Sequence, residues 1–150
     1  MLTLLRTTST HPDFRALVQQ LDAYLAIVNG DEHAFYDQFN GLETLHHAVV
    51  AYLDGTPVGC GAFKEYMDDA VEIKRMFVDP AARRRGVALT VLAELEQWAA
   101  AEGYVGCLLE TGTYMPDAIA LYRKGGYDVV PNYPPYDGKD ISCCMAKTIG

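Results

Sequence analysis

Three consecutive arginines, Arg83, Arg84 and Arg85, stand directly before Gly86, Val87 and Ala88 in a chain whose formal net charge is -8. The surrounding stretch, Val78 to Trp98, reads VDPAARRRGVALTVLAELEQW, so the cations fall where a strand pattern gives way to an apolar helix pattern. A helix start has N–H groups without intrahelical partners and the positive end of the dipole, and a glycine lets an oxyanion approach that backbone. Guanidinium groups add charge that can fork onto phosphate oxygens. The chemistry these residues suit is the holding of a phosphate or pyrophosphate. A solvated basic turn is the alternative reading of the arginines alone. Neither the lysine-bearing phosphate loop GxxxxGK[ST] nor the dinucleotide pattern GxGxxG is present.

Other reactive types give weaker signals. His11, His33, His46 and His47 show no metal-ligand spacing, and His46 and His47 on a strand would point to opposite faces. Cys60, Cys107, Cys143 and Cys144 lack paired zinc spacing and read as reduced, mostly buried thiols. No metal site is expected.

The elements that must position the arginine loop follow from period. LTLLRT reads as a strand; after Pro12, the apolar positions Phe14, Leu17, Val18, Leu21 and Leu25 recur at helical spacing until Gly30. A shorter helix with Phe35, Tyr36 and Phe39 inward is expected next. Two β-type runs flank Asp54-Gly55, a pair suited to a turn with positive φ at both residues, so a hairpin is predicted. AVEIKRMFV reads as a third strand in sequence with the pair, in mid-sheet. From Val87 the spacing becomes helical, with Ala88, Val91, Leu92, Leu95 and Ala99 on one face until Gly103. VGCLLET is predicted as a buried strand, PDAIALYRKGG as a compact helix opened by Pro116, and DISCCMAKTI as a last strand. An α/β domain spanning 1–150, with a mixed sheet of about six or seven strands, is the expected fold.

Composition narrows the function classes. Asp and Glu number 20 against 12 Lys and Arg, which argues against nucleic acid and against anionic membranes as partners. No apolar run approaches the ~20 residues of a bilayer span, and the first residues lack a signal-peptide pattern, so the chain is read as cytoplasmic.

The form R-x-x-G-x-A, Arg83 through Gly86 to Ala88, resembles the pyrophosphate loop [QR]-x-x-G-x-[GA] of the GCN5-related N-acetyltransferases (GNAT). EIKRMFVDP before it and LETGTYMPDAIALYRKGGY after it, similar to the family's A-x-x-L-Y-x-x-x-G-[FY] block, extend the resemblance over Val71–Tyr127. The resemblance implies helices on both faces of the sheet, a splay between two central parallel strands, and acetyl-CoA bound as co-substrate in that opening. It implies that the backbone of Met76, Phe77 and Val78 pairs with the pantetheine arm, and that amides from Arg84 through Gly86 and Val87 to Ala88 hold the pyrophosphate, with the side chains of Arg83, Arg84 and Arg85 reaching the outer phosphates. Many relatives carry an asparagine three residues before the position of Ala118, where this chain has Met115.

Tyr122 matches the tyrosine that faces the coenzyme sulfur, and a phenol there can give a departing thiolate its proton. An attacking ammonium must first lose a proton. Glu72 matches the region where relatives place a glutamate for this, with Glu110 as runner-up, and both carboxylates also read as structural partners of Lys74 or Arg75. The acceptor side implied by the resemblance brings in Tyr24, Tyr36, Tyr133 and Tyr136, with Asp31, Glu32 and Asp37 able to attract a cation. The expected activity is acetyl transfer to a primary amine of a small molecule. A non-catalytic acyl-CoA sensor and a protein-amine acetyltransferase are the alternatives, and the oligomeric state, including a homodimer, is left open.

Overall fold

The computed structural model describes residues 1–29 and 44–150. Among the described residues, seven strands form one sheet in the order β1-β2-β3-β4-β5-β7-β6. They are β1 (Leu2–Thr7), β2 (His47–Leu53), β3 (Thr56–Met67), β4 (Ala70–Val78), β5 (Gly106–Gly112), β6 (Asp128–Val130) and β7 (Ser142–Thr148). The helices are α1 (Pro12–Asn29), α2 (Val87–Ala101) and α3 (Pro116–Lys124). The expected short helix with Phe35, Tyr36 and Phe39 lies outside the described residues, as do Gly30, Asp31, Glu32, His33 and Asp37.

The hairpin forms where Asp54-Gly55 directs it: φ is 51° and 88° at the two residues, and Leu53 pairs with Thr56. β4 then returns antiparallel to β3 and enters the middle of the sheet. Its other neighbour, β5, is parallel and pairs with it at only three positions, Ala70–Gly106, Val71–Cys107 and Glu72–Leu108. β5 runs on with β7 as far as Gly112–Ser142, so from Ile73 onward β4 has no ladder partner on that side.

The same half of β4 carries a bulge. Cys60 pairs with Phe77 and Ala62 with Lys74, so Arg75 and Met76 together oppose Gly61. Arg75 takes φ 60°, a left-handed conformation that costs a non-glycine residue about 1 kcal/mol or more. Its guanidinium Nη1 donates to Asp22 Oδ1 of α1 at 2.7 Å, and its carbonyl accepts from Cys60 Sγ at 3.4 Å. Gly61 is required by space: a Cβ there would lie 2.5 Å from Met76 Sδ and 2.9 Å from Leu95 Cδ1.

Two cores clamp the sheet. On one face Val87, Val91, Leu92, Leu95 and Ala99 of α2 bury against Val49, Phe63, Val71 and Ile73. Full burial of each large aliphatic side chain contributes roughly 1.5–3 kcal/mol. The helix starts at Val87, where the spacing predicted; Val87 joins the buried stripe, and Ala88 is half-buried. On the other face Phe14 and Leu17 of α1 meet Ala48, Val50, Cys60, Ala62 and Phe77. All four cysteines are buried and unbridged. His46 precedes β2, while His47 begins it, stacked on Phe63 at 4.4 Å between centroids, with Nε2 2.8 Å from Glu102 Oε1. No described helix is long and apolar enough to cross a membrane.

Candidate active site

The arginine loop is built by a short chain of caps. Asp79 accepts from the Ala81 amide at 2.9 Å and starts a 3-10 turn, Pro80–Ala82, whose last residue is buried. Arg83 is extended, Arg84 takes φ 67°, and Gly86, with φ 75° and ψ 12°, is the N-cap of α2. Gly86 offers no side chain to cap the first helical amides. They therefore keep the donors that a helix start leaves without intrahelical carbonyls. A Cβ on Gly86 would meet nothing within 4 Å, so its backbone angle is what calls for glycine.

A groove of about 620 Å³ runs past this loop. Phe77, Val78, Arg83, Arg84, Gly86, Val87 and Ala88 are among its walls, together with Tyr24, Asp117 and Lys124. Arg83 Nε donates to the Val78 carbonyl at 3.2 Å, tying the loop to the end of β4. Arg85 does not line the groove. The Asp54 carboxyl is held below its ordinary range chiefly by the amino terminus of Met1, and the Arg85 charge contributes less.

A second cavity, about 180 Å³, opens between β4 and β5 beyond the last ladder pair. Glu72, Lys74, Arg75 and Met76 come from β4, and Leu109, Glu110 and Gly112 from β5. Leu21 and Leu25 of α1 and Tyr136 also line it. Groove and cavity share Leu21, Met76, Tyr114, Met115, Ala118 and Tyr122, so Tyr122 stands at the junction of the two spaces. α3 places it there because Ala118 and Tyr122, four residues apart, lie on one helix face. Burial, and secondarily the Glu110 charge, push the Tyr122 phenol up to about 12, so it keeps its proton at neutral pH.

The two carboxylates differ sharply. Glu72 is 4% exposed; Tyr133 donates to its Oε2 at 2.7 Å and Lys74 Nζ stands 3.7 Å from its Oε1. Glu110 is half-buried, and its carboxyl is pushed up to about 7. Burial of the carboxyl is the largest cause, opposed by a hydrogen bond from Ser142, reinforced by the Glu72 charge and offset by Lys74.

Of the residues expected at an acceptor pocket, Glu110 lines the small cavity, Tyr24 lines the groove instead, and Tyr133 lies behind Glu72 and lines neither. Tyr36 lies outside the described residues. Met115, standing where relatives carry asparagine, lines both spaces. Lys74 and Arg75 in the cavity wall were visible in the sequence only as partners for a carboxylate. Lys124 in the groove carried no signal beyond its favourable place at a helix end.

An open mixed sheet thus carries a phosphate-type loop between a central strand and a long helix, with a carboxylate-bearing cavity beside it. A family model described as the acetyltransferase (GNAT) family matches residues 12–127. The IAA acetyltransferase of Azospirillum brasilense is 37% identical over 139 residues, covering 89% of this chain and 88% of that one. A crystal structure from Klebsiella pneumoniae subsp. pneumoniae, assigned to the acyl-CoA N-acyltransferases, is 30% identical and superposes with a TM-score of 0.83 over 100% of this chain and 99% of that one. The fold is also shared, at 21% identity and TM-score 0.63, with a Bacillus anthracis protein assigned as a streptothricin acetyltransferase and crystallised with acetyl coenzyme A; 72% of this chain and 65% of that one are covered. The chain belongs to the GNAT family of acetyltransferases, and it is an N-acetyltransferase.

Proposed function

We propose that the chain transfers an acetyl group from acetyl-CoA to a primary amine of a small molecule by direct attack, with the two substrates meeting at Tyr122. The observation that carries this reading is the shared wall between the long phosphate-type groove and the short carboxylate-bearing cavity. A cavity of about 180 Å³ has room for a small amine-bearing group, not for a folded surface.

The groove fits the donor by its chemistry: a left-handed Arg84, an N-cap glycine without a side chain, two lining arginines and a helix start together make an anion cradle. Amides from Arg84 to Ala88 would hold the pyrophosphate, with Arg83 and Arg84 adding charge. The free side of β4 at Met76 and Val78 would hold the arm. When bound, acetyl-CoA supplies an activated thioester carbonyl. Met76, the second residue of the bulge, presents strand backbone where developing oxyanion charge needs a donor. The Tyr122 phenol holds a proton at the junction and serves as the acid. The carboxylates of Glu72 and Glu110 provide the negative wall that an ammonium enters, and one of them takes its proton.

A thiol-release screen with acetyl-CoA against amino acids, polyamines, aminoglycosides and peptides tests the proposal. Turnover with a small amine and none with peptides is the expected result. Turnover confined to peptides assigns a protein-amine acceptor, and tight coenzyme binding without any acceptor assigns a sensor.

A further inference from the structure

We propose that Glu110 takes the proton of the acceptor ammonium and that Glu72, braced by Tyr133 and Lys74, is a positioning residue beside it. This rests on the acetyltransferase reading above and specifies its proton path.

The geometry separates the two acids. Glu72 pairs with Leu108 across the last rung of the β4–β5 ladder, and Glu110 stands two residues further along β5, where the ladder has ended and the cavity begins. Both oxygens of Glu72 are engaged, Oε2 by the Tyr133 phenol and Oε1 by the Lys74 ammonium. Protonating Glu72 would set these groups against a neutral acid inside the fold. Both acids line the cavity with Tyr122 and Met76, the residues at its junction with the groove, but Glu110 stands on the stretch of β5 beyond the last rung.

The charges facing Glu110 come from several elements. Glu72 and Lys74 face it from β4, Ser142, Cys143 and Cys144 from β7, and Tyr122 from α3. Lys74 is the cation among these groups; its Nζ stands 3.7 Å from Glu72 Oε1, and its charge also acts on the Glu110 carboxyl. Burial of the Glu110 carboxyl is the main reason that it binds a proton more tightly than a solvated acid does, and the Glu72 charge adds to it. A base matched to neutral pH is the most effective acceptor there. Its task is balanced: the ammonium loses one proton, freeing the nitrogen lone pair, and Glu110 becomes a neutral carboxylic acid. Solvent removes that proton before the next turnover.

The test uses the full chain labelled with ¹³C at glutamate carboxyls. In NMR titrations the Glu110 resonance, identified by its loss in Glu110→Gln, should have a midpoint near 7 in the wild type. It should fall in Glu72→Gln while staying above the ordinary carboxylate range, because burial remains. With an acceptor from the screen, wild-type kcat/KM should fall as pH drops through the same midpoint. Glu110→Gln should lose about 100-fold or more and lose that acid limb, whereas Glu72→Gln should keep a limb moved to lower pH. Glu110→Asp should restore part of the limb, and calorimetry should show unchanged coenzyme binding in all variants. A Glu110 midpoint in the ordinary carboxylate range, or an acid limb abolished by Glu72→Gln and kept by Glu110→Gln, overturns this inference while turnover itself stands. An absence of turnover with every acceptor overturns the transferase reading and this inference with it.

Discussion

The phenol of Tyr133 donates a 2.7 Å hydrogen bond to Oε2 of Glu72, joining the segment after β6 to the middle of β4. Tyr133 is itself braced edge-on by Tyr66 and Tyr136, at 5.0 and 5.7 Å between ring centroids. Burial, followed by the Glu72 charge, pushes the Tyr133 phenol far above its ordinary range, so it acts as a permanent donor. The back wall of the small cavity is thus fastened from two sides, by this phenol and by Lys74.

Tyr133→Phe should therefore destabilise the fold by about 1–3 kcal/mol, the usual loss when a buried carboxylate is left short of a donor. Urea unfolding followed by circular dichroism measures it. A midpoint equal to wild type would mean that Glu72 finds a replacement donor at no cost.

Tyr122→Phe should reduce kcat by about 100-fold, with coenzyme affinity changed little, because the ring stays and only the proton donor is removed. Since burial and Glu110 raise the phenol to about 12, Tyr122 should contribute no alkaline loss of activity below about pH 11. Pre-steady-state kinetics that isolate the chemical step give the measurement; an unchanged chemical rate removes the acid role.

Glu110 makes stability depend on pH in a direction opposite to most carboxylates. Its folded value of about 7 lies above the unfolded 4.5, so the folded chain binds more protons between these values. The favourable contribution is full below about pH 4.5 and is lost as pH rises through 7. Glu110→Gln should accordingly stabilise the protein at pH 8 by on the order of 2–3 kcal/mol and have little effect at pH 4.5. Paired urea titrations of wild type and variant at the two pH values test the sign.

Arg83→Glu and Arg84→Glu should each weaken coenzyme binding about tenfold or more at low salt, with the loss shrinking as salt rises. Arg85→Glu should have a much smaller effect, because Arg85 does not line the groove. Calorimetry at two ionic strengths separates the three. Equal losses at all three positions would mean that net charge, not placement, governs binding.

Legibility in the sequence followed how local each cause was. The Asp54-Gly55 turn, the helix opened at Val87 and the compact helix after Pro116 rest on nearby residues, and each is found where its spacing placed it. Three-residue β6 is too short to carry a period, and its pairing depends on β7 instead. The arginines read as one patch, but Arg83 and Arg84 line the groove and Arg85 does not. Ranking Glu72 against Glu110 needed burial and neighbours from β7 and the segment after β6, none of which lies within thirty residues of Glu72. The bulge at Arg75 left no mark in an unbroken strand pattern, since it is created opposite Gly61 on another strand.

The three-rung seam between β4 and β5 has a mechanical consequence. Strands β1 to β4 form one plate and β5 to β7 another, stitched at the Ala70–Glu72 end and unstitched at the other. A strand-like guest lying along the free edge of β4 would act as a removable eighth strand, tightening the plates while it stays. Amides near the seam should then exchange with solvent more slowly when the guest is present.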